Sequence, residues 1–385
     1  MTTTTPGSGL EPIRHRTKTQ AISAQLTELA HRLGPDARMP TIQQLCELMG
    51  VSVVTLNRSL SELEGQNIIM RKHGVGIFVS TRLNQRTVGL VYDRDIFASG
   101  ASPFCGLLVE SSRERANKSN EKFSFYLAVT SKEGLPVHDD LVEDLRARKL
   151  DGVIFVGESN PAAARWVNAQ DVPLVALSYT PISKYRVCID WSESVRLGVQ
   201  ALAEMGCQKI GLWIPLGAGL GRSGNAKSFP ELDAFRASLK AHQLSFDSGL
   251  VWRNEMLREN AELPDWGTNQ EQGFRAAHDV FGGQQINDKS SGRSTPDGIV
   301  ILDDMMARGA IITLQQMNLQ IGSDVKIATH LNQGSQVLAP FAGSVSLLEI
   351  DPNEIVGALF SQLETLMNGE QPKESIIAIK PQLAT

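Results

Sequence analysis

Residues 38–79 constrain the fold of this chain more than any other stretch, because several independent local signals agree there. Thr41 is suited to cap a first short helix, Gly50 to end it and Ser52 to cap a second helix. Apolar residues at helical spacing predict the buried faces, with Ile42, Leu45, Leu48 and Met49 in the first helix and Leu56, Leu60 and Leu63 in the second. Two strand-like runs, 68–71 and 76–80, follow around a glycine-containing turn. The pattern predicts two helices joined by a tight turn, then a two-stranded hairpin.

Two helices joined in this way form a helix-turn-helix, whose second helix enters the DNA major groove by its N-terminal residues. The predicted buried face leaves Val53, Val54, Asn57 and Arg58 facing outward. The hairpin tip, residues 72–75, is basic, and its glycine allows a close approach to phosphates or to the minor groove. The segment therefore predicts a DNA-binding winged helix; the alternative is a winged helix used for protein contacts.

The segment resembles the winged helix of the GntR family of bacterial transcription regulators. The matching residues are Met39-Pro40-Thr41, Val51-Ser52, Thr55, Leu60, Leu63 and the run from Gly74 to Val79. In that family the arginine before the proline, the start of the recognition helix and the wing tip contact DNA. The resemblance places Arg38, Ser52, Thr55, Arg58, His73 and Gly74 at such positions, and the neighbouring Thr41, Val53, Asn57, Arg71 and Lys72 complete the predicted DNA-binding set.

Two departures from the family concern base preference. The family commonly has arginine where this chain has Val53 and Asn57. Asn57 is suited to paired hydrogen bonds with an adenine, and Val53 to contact with a thymine methyl group. The fold expectation is unchanged, but the preferred DNA sequence should differ.

The length of 385 residues predicts more than one domain. We expect a disordered tail at 1–13 without signal-peptide character, a winged helix-turn-helix domain at 14–80, a linker at 81–86 and a further domain at 87–385. No apolar run approaches the roughly 20 residues that span a bilayer. The four scattered cysteines, Cys46, Cys105, Cys188 and Cys207, are expected to be reduced, buried thiols of a cytoplasmic protein.

The net charge of −5 hides an asymmetry. Residues 1–86 hold ten Lys or Arg and six Asp or Glu, whereas the remainder holds 27 basic and 36 acidic residues. A small basic head on an acidic body is typical of a DNA-binding domain attached to a part that does not touch DNA.

From residue 87 onward, short apolar strands alternate with amphipathic helices. Near-continuous apolar strands in such an alternation predict a parallel sheet covered on both faces. The alternation runs to about residue 177 and then begins again. We therefore expect an α/β domain of two successive, doubly wound lobes of similar size with a cleft between them.

This layout resembles the LacI/GalR-type effector domain, which shares its two-lobed fold with the periplasmic sugar-binding proteins. The matching stretches are 196–210, the turn Asp303-Asp304-Met-Met-Ala307 with Gly309-Ala310, and 321–327. Together with the head, they imply a GntR-type regulator that carries a LacI-like sensor.

The resemblance and the strand-end rule together predict the effector site. Ligands of open α/β sheets bind beyond the carboxyl ends of the strands. Asp303 takes the place of a ligand-contacting Asn, and Asp304 is expected to cap the following helix; the alternative is that both only cap and turn. His330 and Asn332 end another predicted strand, and aromatic or polar candidates for the walls are Phe97, Phe104, Ser178, Tyr179, Trp191 and Trp252.

Two groups that sugar-responsive relatives use are absent. An arginine and an aspartate of those relatives correspond here to Glu231 and Leu331. The resemblance therefore argues against a plain neutral hexose or pentose, while the location in the cleft is unaffected.

No other motif indicates a site. The glycines of residues 217–221 lack dinucleotide-binding spacing, so 216–228 is expected to be a loop, and the polar run 287–296 a surface insertion. No catalytic, metal-binding or cofactor-binding arrangement is found in the sequence.

We therefore expect a non-enzymatic, cytoplasmic, homodimeric regulator that binds an inverted repeat in double-stranded DNA. It is expected to be a repressor that a carbohydrate-derived effector releases. The alternatives are a cytoplasmic solute-binding sensor, or a sugar- or nucleotide-acting enzyme, with an incidental winged helix.

Overall fold

The computed structural model describes residues 18–83, 85–93, 96, 102–118, 121–127, 134–157, 161–179, 181–215, 229–253, 267–282 and 295–384. The chain divides into two compact units, Met1–Arg86 and Thr87–Thr385. Among the described residues, no helix combines the length and apolar character that a membrane span requires.

From residue 42 onward, the first unit has the predicted order of helices and strands. Its elements are α1 (Lys18–Leu33), α2 (Ile42–Met49), α3 (Val53–Gly65), β1 (Ile69–Lys72) and β2 (Gly76–Val79). The two strands pair antiparallel, with Ile69 opposite Val79 and Lys72 opposite Gly76. Thr41 and Ser52 cap α2 and α3, and Gly50 ends α2 in the left-handed region at φ 61°. The predicted caps and the predicted turn are confirmed.

The core of the first unit differs from the sequence prediction at one leucine. Leu45, Leu56, Leu60 and Leu63 are buried as expected. Leu48 is 76% exposed, so assigning it to the buried face of the first short helix was wrong. It occupies the final turn of α2, whereas Leu45, one turn earlier, is buried.

The first lobe of the second unit is built on a six-stranded sheet in the order β13-β7-β6-β5-β3-β4. Its strands are β3 (Arg86–Tyr92), β4 (Glu121–Tyr126), β5 (Gly152–Val156), β6 (Leu174–Leu177), β7 (Arg186–Ile189) and β13 (Ile376–Ile379). Its helices are α4 (Pro103–Lys118), α5 (Asp139–Arg146), α6 (Pro161–Asn168) and α11 (Pro352–Met367). One core cluster contains residues of α4 and α11, and another contains residues of α5 and α6. The sheet is therefore covered on both faces, as predicted.

The second lobe repeats this arrangement on a sheet in the order β14-β12-β11-β10-β8-β9. Its strands are β8 (Ile210–Ile214), β9 (Val251–Arg253), β10 (Gly298–Ile301), β11 (Lys326–Asn332), β12 (Ser346–Ile350) and β14 (Gln382–Leu383). Its helices are α7 (Trp191–Glu204), α8 (Pro230–Ala241), α9 (Asn269–Phe281) and α10 (Asp304–Gln316). The core of one face contains residues of α7 and α8, and that of the other residues of α9 and α10.

The expectation of two strictly successive lobes was wrong. After β12, the chain returns to the first lobe, where α11 packs on the sheet and β13 pairs with β7. It then crosses again, and β14 pairs antiparallel with β12. Periodicity along a sequence does not specify which sheet a final strand joins, so this return was not foreseen.

The cysteine prediction holds only in part. All four cysteines are thiols, but only Cys207 is buried, while Cys46, Cys105 and Cys188 are partly exposed. Three further expectations, the tail at 1–13, the loop at 216–228 and most of the insertion at 287–296, lie outside the described residues.

Candidate functional site

The N-terminal turn of α3 is an exposed surface. Ser52 Oγ accepts a hydrogen bond from the Thr55 amide at 3.3 Å, and the two hydroxyl groups lie 2.9 Å apart. Val53 is 52% exposed, Val54 is 81% exposed, and Arg58 on the next turn is also exposed. The first turn contains no acidic residue. The positive end of the helix dipole therefore has no compensating carboxylate within that turn.

The opposite side of α3 is fixed to the rest of the unit. Leu56, Leu60 and Leu63 are fully buried, and the Ser59 hydroxyl donates to the Thr19 carbonyl of α1 at 3.2 Å. Rigid support of one face orients the other, so Asn57, which is partly exposed, and Arg58 keep a defined direction.

The hairpin is connected to α3 by Arg71. Its guanidinium forms an ion pair with Glu64 at 2.7 Å and donates to Ser61 Oγ at 2.8 Å. The pair holds the pKa of Glu64 below its usual value through the hydrogen bonds from Arg71. Because this guanidinium is already engaged, Arg71 positions the hairpin; its predicted contact with DNA stays a prediction.

The hairpin tip carries the predicted basic turn. Lys72 Nζ lies 4.7 Å from the centre of the Phe78 ring, and Lys72 and His73 are exposed. Gly74 has φ 70°, a left-handed conformation that favours glycine. Arg38 Nη2 donates to the Val75 carbonyl at 2.8 Å, which brings this arginine to the tip.

Side-chain hydrogen bonds thus join the C-terminal part of α3 to the hairpin through Arg71, and the hairpin tip to Arg38. Thr41 is the exception in the predicted set: it forms a capping box with Gln44 at the start of α2 and is exposed. No described contact ties it to α3 or to the hairpin.

In the second unit, three rings join the two lobes. Tyr179 follows β6 of the first lobe, Trp191 begins α7 at the crossover, and His330 lies in β11 of the second lobe. The Tyr179 and Trp191 rings stack at 6.4 Å between centroids, and Trp191 meets His330 edge-on at 4.9 Å. The Tyr179 hydroxyl donates to the Ile189 carbonyl, and the adjacent Ser178 is buried. The carboxyl ends of β6 and β11 therefore meet at Trp191.

Two buried polar atoms beside this ring cluster have no hydrogen-bond partner among the described residues: His330 Nδ1 and Asn332 Oδ1. His330 is 4% exposed and Asn332 is 2% exposed. Burial lowers the pKa of His330 to about 4, although the Asn332 side chain opposes the shift. The imidazole is therefore neutral at pH 7, and the unpartnered atoms are suited to a polar ligand, because leaving them unpaired is costly.

Asp303 is the cap of α10, and the expectation that Asp304 would be the cap was wrong. Asp303 Oδ1 accepts from the Met306 amide at 2.7 Å, while its Oδ2 accepts from Asn269 Nδ2 at 2.8 Å. Asp304 is buried and accepts from Ser335 Oγ at 3.4 Å. Burial, together with the charge of Asp303, raises the pKa of Asp304 to about 7; burial also raises the pKa of Asp303.

The remaining predicted effector residues do not join the ring cluster in the described structure. Phe104, at the start of α4, packs against the first-lobe core. Trp252 packs on the face of the second-lobe sheet that α9 and α10 cover, and its indole N–H donates to Asp279 Oδ2 at 3.4 Å. Ala328 packs on the opposite face. Because side chains alternate along a strand, His330 lies on the same face as Ala328. Phe97 lies outside the described residues.

Sequence reasoning missed Asn269 and Ser335, whose partners are Asp303 and Asp304, because no local pattern relates residues so far apart. Glu231, which replaces an expected arginine, is buried in the first turn of α8.

A separate cavity of about 570 Å³, lined by Gln315, Gln320 and Phe341 among others, contains none of the predicted effector residues. No group of three or more metal-ligating side chains occurs in the part of the chain that the structure describes.

Two family models match the chain. Residues 18–79 match the model described as bacterial regulatory proteins, gntR family, and residues 199–385 match a periplasmic binding protein-like domain. These matches confirm the two resemblances drawn from the sequence. No curated protein sequence matches the chain.

Solved structures of transcription regulators share the fold. A regulatory protein of the LacI family from Chloroflexus aggregans is 20% identical, with a TM-score of 0.57 over 77% of this chain and 96% of that one. The transcriptional regulator CelR in complex with cellobiose is 16% identical, with a TM-score of 0.58 over 90% and 99%. The lac repressor dimer bound to operator and the anti-inducer ONPF is 16% identical, with a TM-score of 0.58 over 86% and 96%.

Proposed function

Because the chain joins a gntR-family domain to a periplasmic-binding-protein-like domain, we propose that it is a transcription regulator that binds operator DNA through its first unit and a small-molecule effector through its second. The observation that carries the proposal is the start of α3. There, a Ser52-capped turn without acidic residues exposes its side chains, and the hairpin tip of the same unit exposes Lys72 and His73.

This surface is suited to DNA for electrostatic reasons. Arg58, Lys72 and His73 are exposed, and the N-terminus of α3 adds its dipole. Glu64, one of the acids on α3, is neutralised by Arg71. We infer that Arg58, Lys72 and His73 contact phosphates, while Asn57 and Val53 contact base edges.

The effector site proposed here lies where the two lobes meet, around Trp191, His330 and Asn332. The unpartnered atoms of His330 and Asn332 supply polar contacts, and the Trp191 ring supplies an apolar face. The CelR structure is a complex with cellobiose, which supports a sugar or sugar derivative as the effector class for this chain as well.

We propose that the protein acts in the cytoplasm as a homodimeric repressor that the effector releases from DNA. One winged helix reads only a few base pairs, and a two-fold pair reads an inverted repeat. The lac repressor structure, a dimer bound to operator, supports the same arrangement. If the effector lowers DNA affinity by a given factor, DNA lowers effector affinity by the same factor.

Selection of DNA from a randomised pool tests this proposal. The full-length protein is incubated with the pool at about 150 mM salt, and bound DNA is amplified and sequenced over several rounds. We expect enrichment of an inverted repeat with two equal half-sites. A single unrepeated half-site would contradict the homodimer, and the absence of enrichment from a folded protein would contradict DNA recognition altogether.

A further inference from the structure

Three of the five exposed large apolar side chains in the described part of the first unit lie at or just before the start of α3 in the sequence. Val53 and Val54 are 52% and 81% exposed in its first turn, and Leu48, at the end of α2, is also exposed. A β-branched valine is a weaker helix former than alanine, so two exposed valines at this place do not help the helix to form. Their presence is explained better by something that covers them.

The polar surroundings of the valine pair favour DNA as the occupant. Val54 and Arg58 are four residues apart and therefore lie on the same face of α3. The first turn has no acidic residue, and residues 1–86 hold ten basic and six acidic residues. An apolar contact surrounded by cations is complementary to the major groove, which combines a phosphate border with methyl groups on its floor.

Only one apolar group on the major-groove edges of the four standard bases fits this surface, the C5 methyl group of thymine. We propose that Val53 and Val54 read pyrimidine C5 methyl groups, so that operator affinity depends on these methyl groups at defined positions in each half-site. The inference rests on the proposed DNA-binding function and specifies what the recognition helix reads.

Asn57 strengthens this assignment. It lies one turn after Val53 on the same stripe of α3 and is partly exposed. Its amide group fits the N6 and N7 edge of adenine. The thymine paired with an adenine presents its methyl group in the same groove, so the valines and Asn57 together predict A·T pairs in the half-site.

Replacement of thymine by uracil tests the proposal, because it removes the methyl group and leaves base pairing unchanged. The probe is fluorescein-labelled DNA selected by the full-length protein, and Kd is measured by anisotropy. We expect uracil at one or more half-site positions to weaken binding about fourfold each, the factor that burial of one methyl group implies. Uracil outside the half-sites should leave Kd unchanged.

A double-mutant cycle then assigns the effect to the valines. Val53→Ala and Val54→Ala keep the helix, since alanine is the better helix former. In each variant, replacing thymine by uracil should no longer weaken binding at the base that the removed valine contacts. Val75→Ala is the matched control, because Val75 is similarly exposed but lies at the hairpin tip. Uracil should raise the Kd of this variant by the same factor as that of the wild type.

Three results would overturn the inference. If uracil at every thymine leaves Kd within twofold while the protein still prefers selected over random DNA, methyl readout is wrong and the proposed function stands. If the valine variants lose affinity equally for thymine and uracil DNA and also lose self-association in sedimentation, the patch is a contact between copies of the chain. If selected and random DNA bind equally, the proposed function fails and this inference with it.

Discussion

Asn269 Nδ2 donates to Asp303 Oδ2 at 2.8 Å, which ties the start of α9 to the cap of α10. The two helices pack closely enough for this bond because glycines face the partner backbone. A Cβ atom on Gly273 would lie 2.0 Å from the Met306 carbonyl oxygen, and one on Gly309 would lie 2.0 Å from that of Gln270. The position of Asp303 therefore depends on Gly273 and Gly309, which let α9 and α10 approach closely.

Gly309→Ala should strongly destabilise the second unit. The added methyl group clashes with backbone, which cannot rotate away, and we expect a loss of about 3 kcal/mol in urea unfolding. Gly357→Ala in α11 is the matched control, because a Cβ there meets nothing within 4 Å. Equal unfolding midpoints for the two variants would contradict the packing of α9 on α10.

Asp304→Asn should stabilise the protein at alkaline pH. The folded pKa of about 7 exceeds the ordinary 3.8, so the carboxyl contributes stability at low pH that is lost as pH rises through 7. We expect the variant to exceed the wild type by about 2 kcal/mol at pH 8 and by much less at pH 5. Asp324→Asn, an exposed aspartate that accepts from the Gln320 amide, should show no such difference.

His330→Gln should change the acid side of the stability profile. The folded pKa of about 4 lies below the ordinary 6.5, so the wild type loses stability as pH falls from 6.5 to 4. The full loss is about 3 kcal/mol, and the glutamine variant lacks it. The comparison uses thermal unfolding at several pH values, with exposed His278→Gln as the control. Parallel profiles for wild type and His330→Gln would show that His330 is not buried as a neutral group.

Gly50→Ala should destabilise the helix-turn-helix by about 1 kcal/mol, because alanine is strained at φ 61° even though open space surrounds the position. Gly65→Ala offers a sharp contrast: its surroundings are equally open and its φ is not positive, so it should be neutral or slightly stabilising. Circular dichroism during denaturation gives both values. A stabilised Gly50→Ala variant would be incompatible with the left-handed turn.

Arg58→Ala and Asn57→Ala should affect DNA binding in different ways. Loss of a phosphate contact weakens binding to every sequence and lowers the salt slope by about 1. Loss of a paired contact to adenine costs about 1–3 kcal/mol on the selected DNA and little on random DNA. Equal losses on both DNAs for Asn57→Ala would exclude its role in reading bases.

Local signals in the sequence predicted most of the fold but not its tertiary exceptions. Thr41, Gly50 and Ser52 were correctly placed because a cap or a left-handed turn depends on the nearest few residues. The exposure of Leu48 and the short strand β9 depend on what the rest of the chain brings alongside, which periodicity does not report.

The candidate effector site was predictable only in outline. The structure brings Tyr179, Trp191 and His330 together near the carboxyl ends of β6 and β11, and their role in effector binding stays a prediction. The cap is Asp303 and not Asp304 because α10 begins one residue earlier than expected. Trp252 lies on the sheet face opposite His330 because it belongs to β9. This strand has three residues, too few for a recognisable pattern in the sequence.

The most direct test of the central claim is the anisotropy of labelled DNA titrated with the full-length protein, for selected and random sequences, across a salt series. We predict that selected DNA binds at least about 10³-fold more tightly near physiological salt, and that the logarithm of affinity falls linearly with the logarithm of salt concentration for both DNAs. Equal affinities at every salt concentration, measured on folded protein, would contradict sequence-specific DNA recognition by this chain.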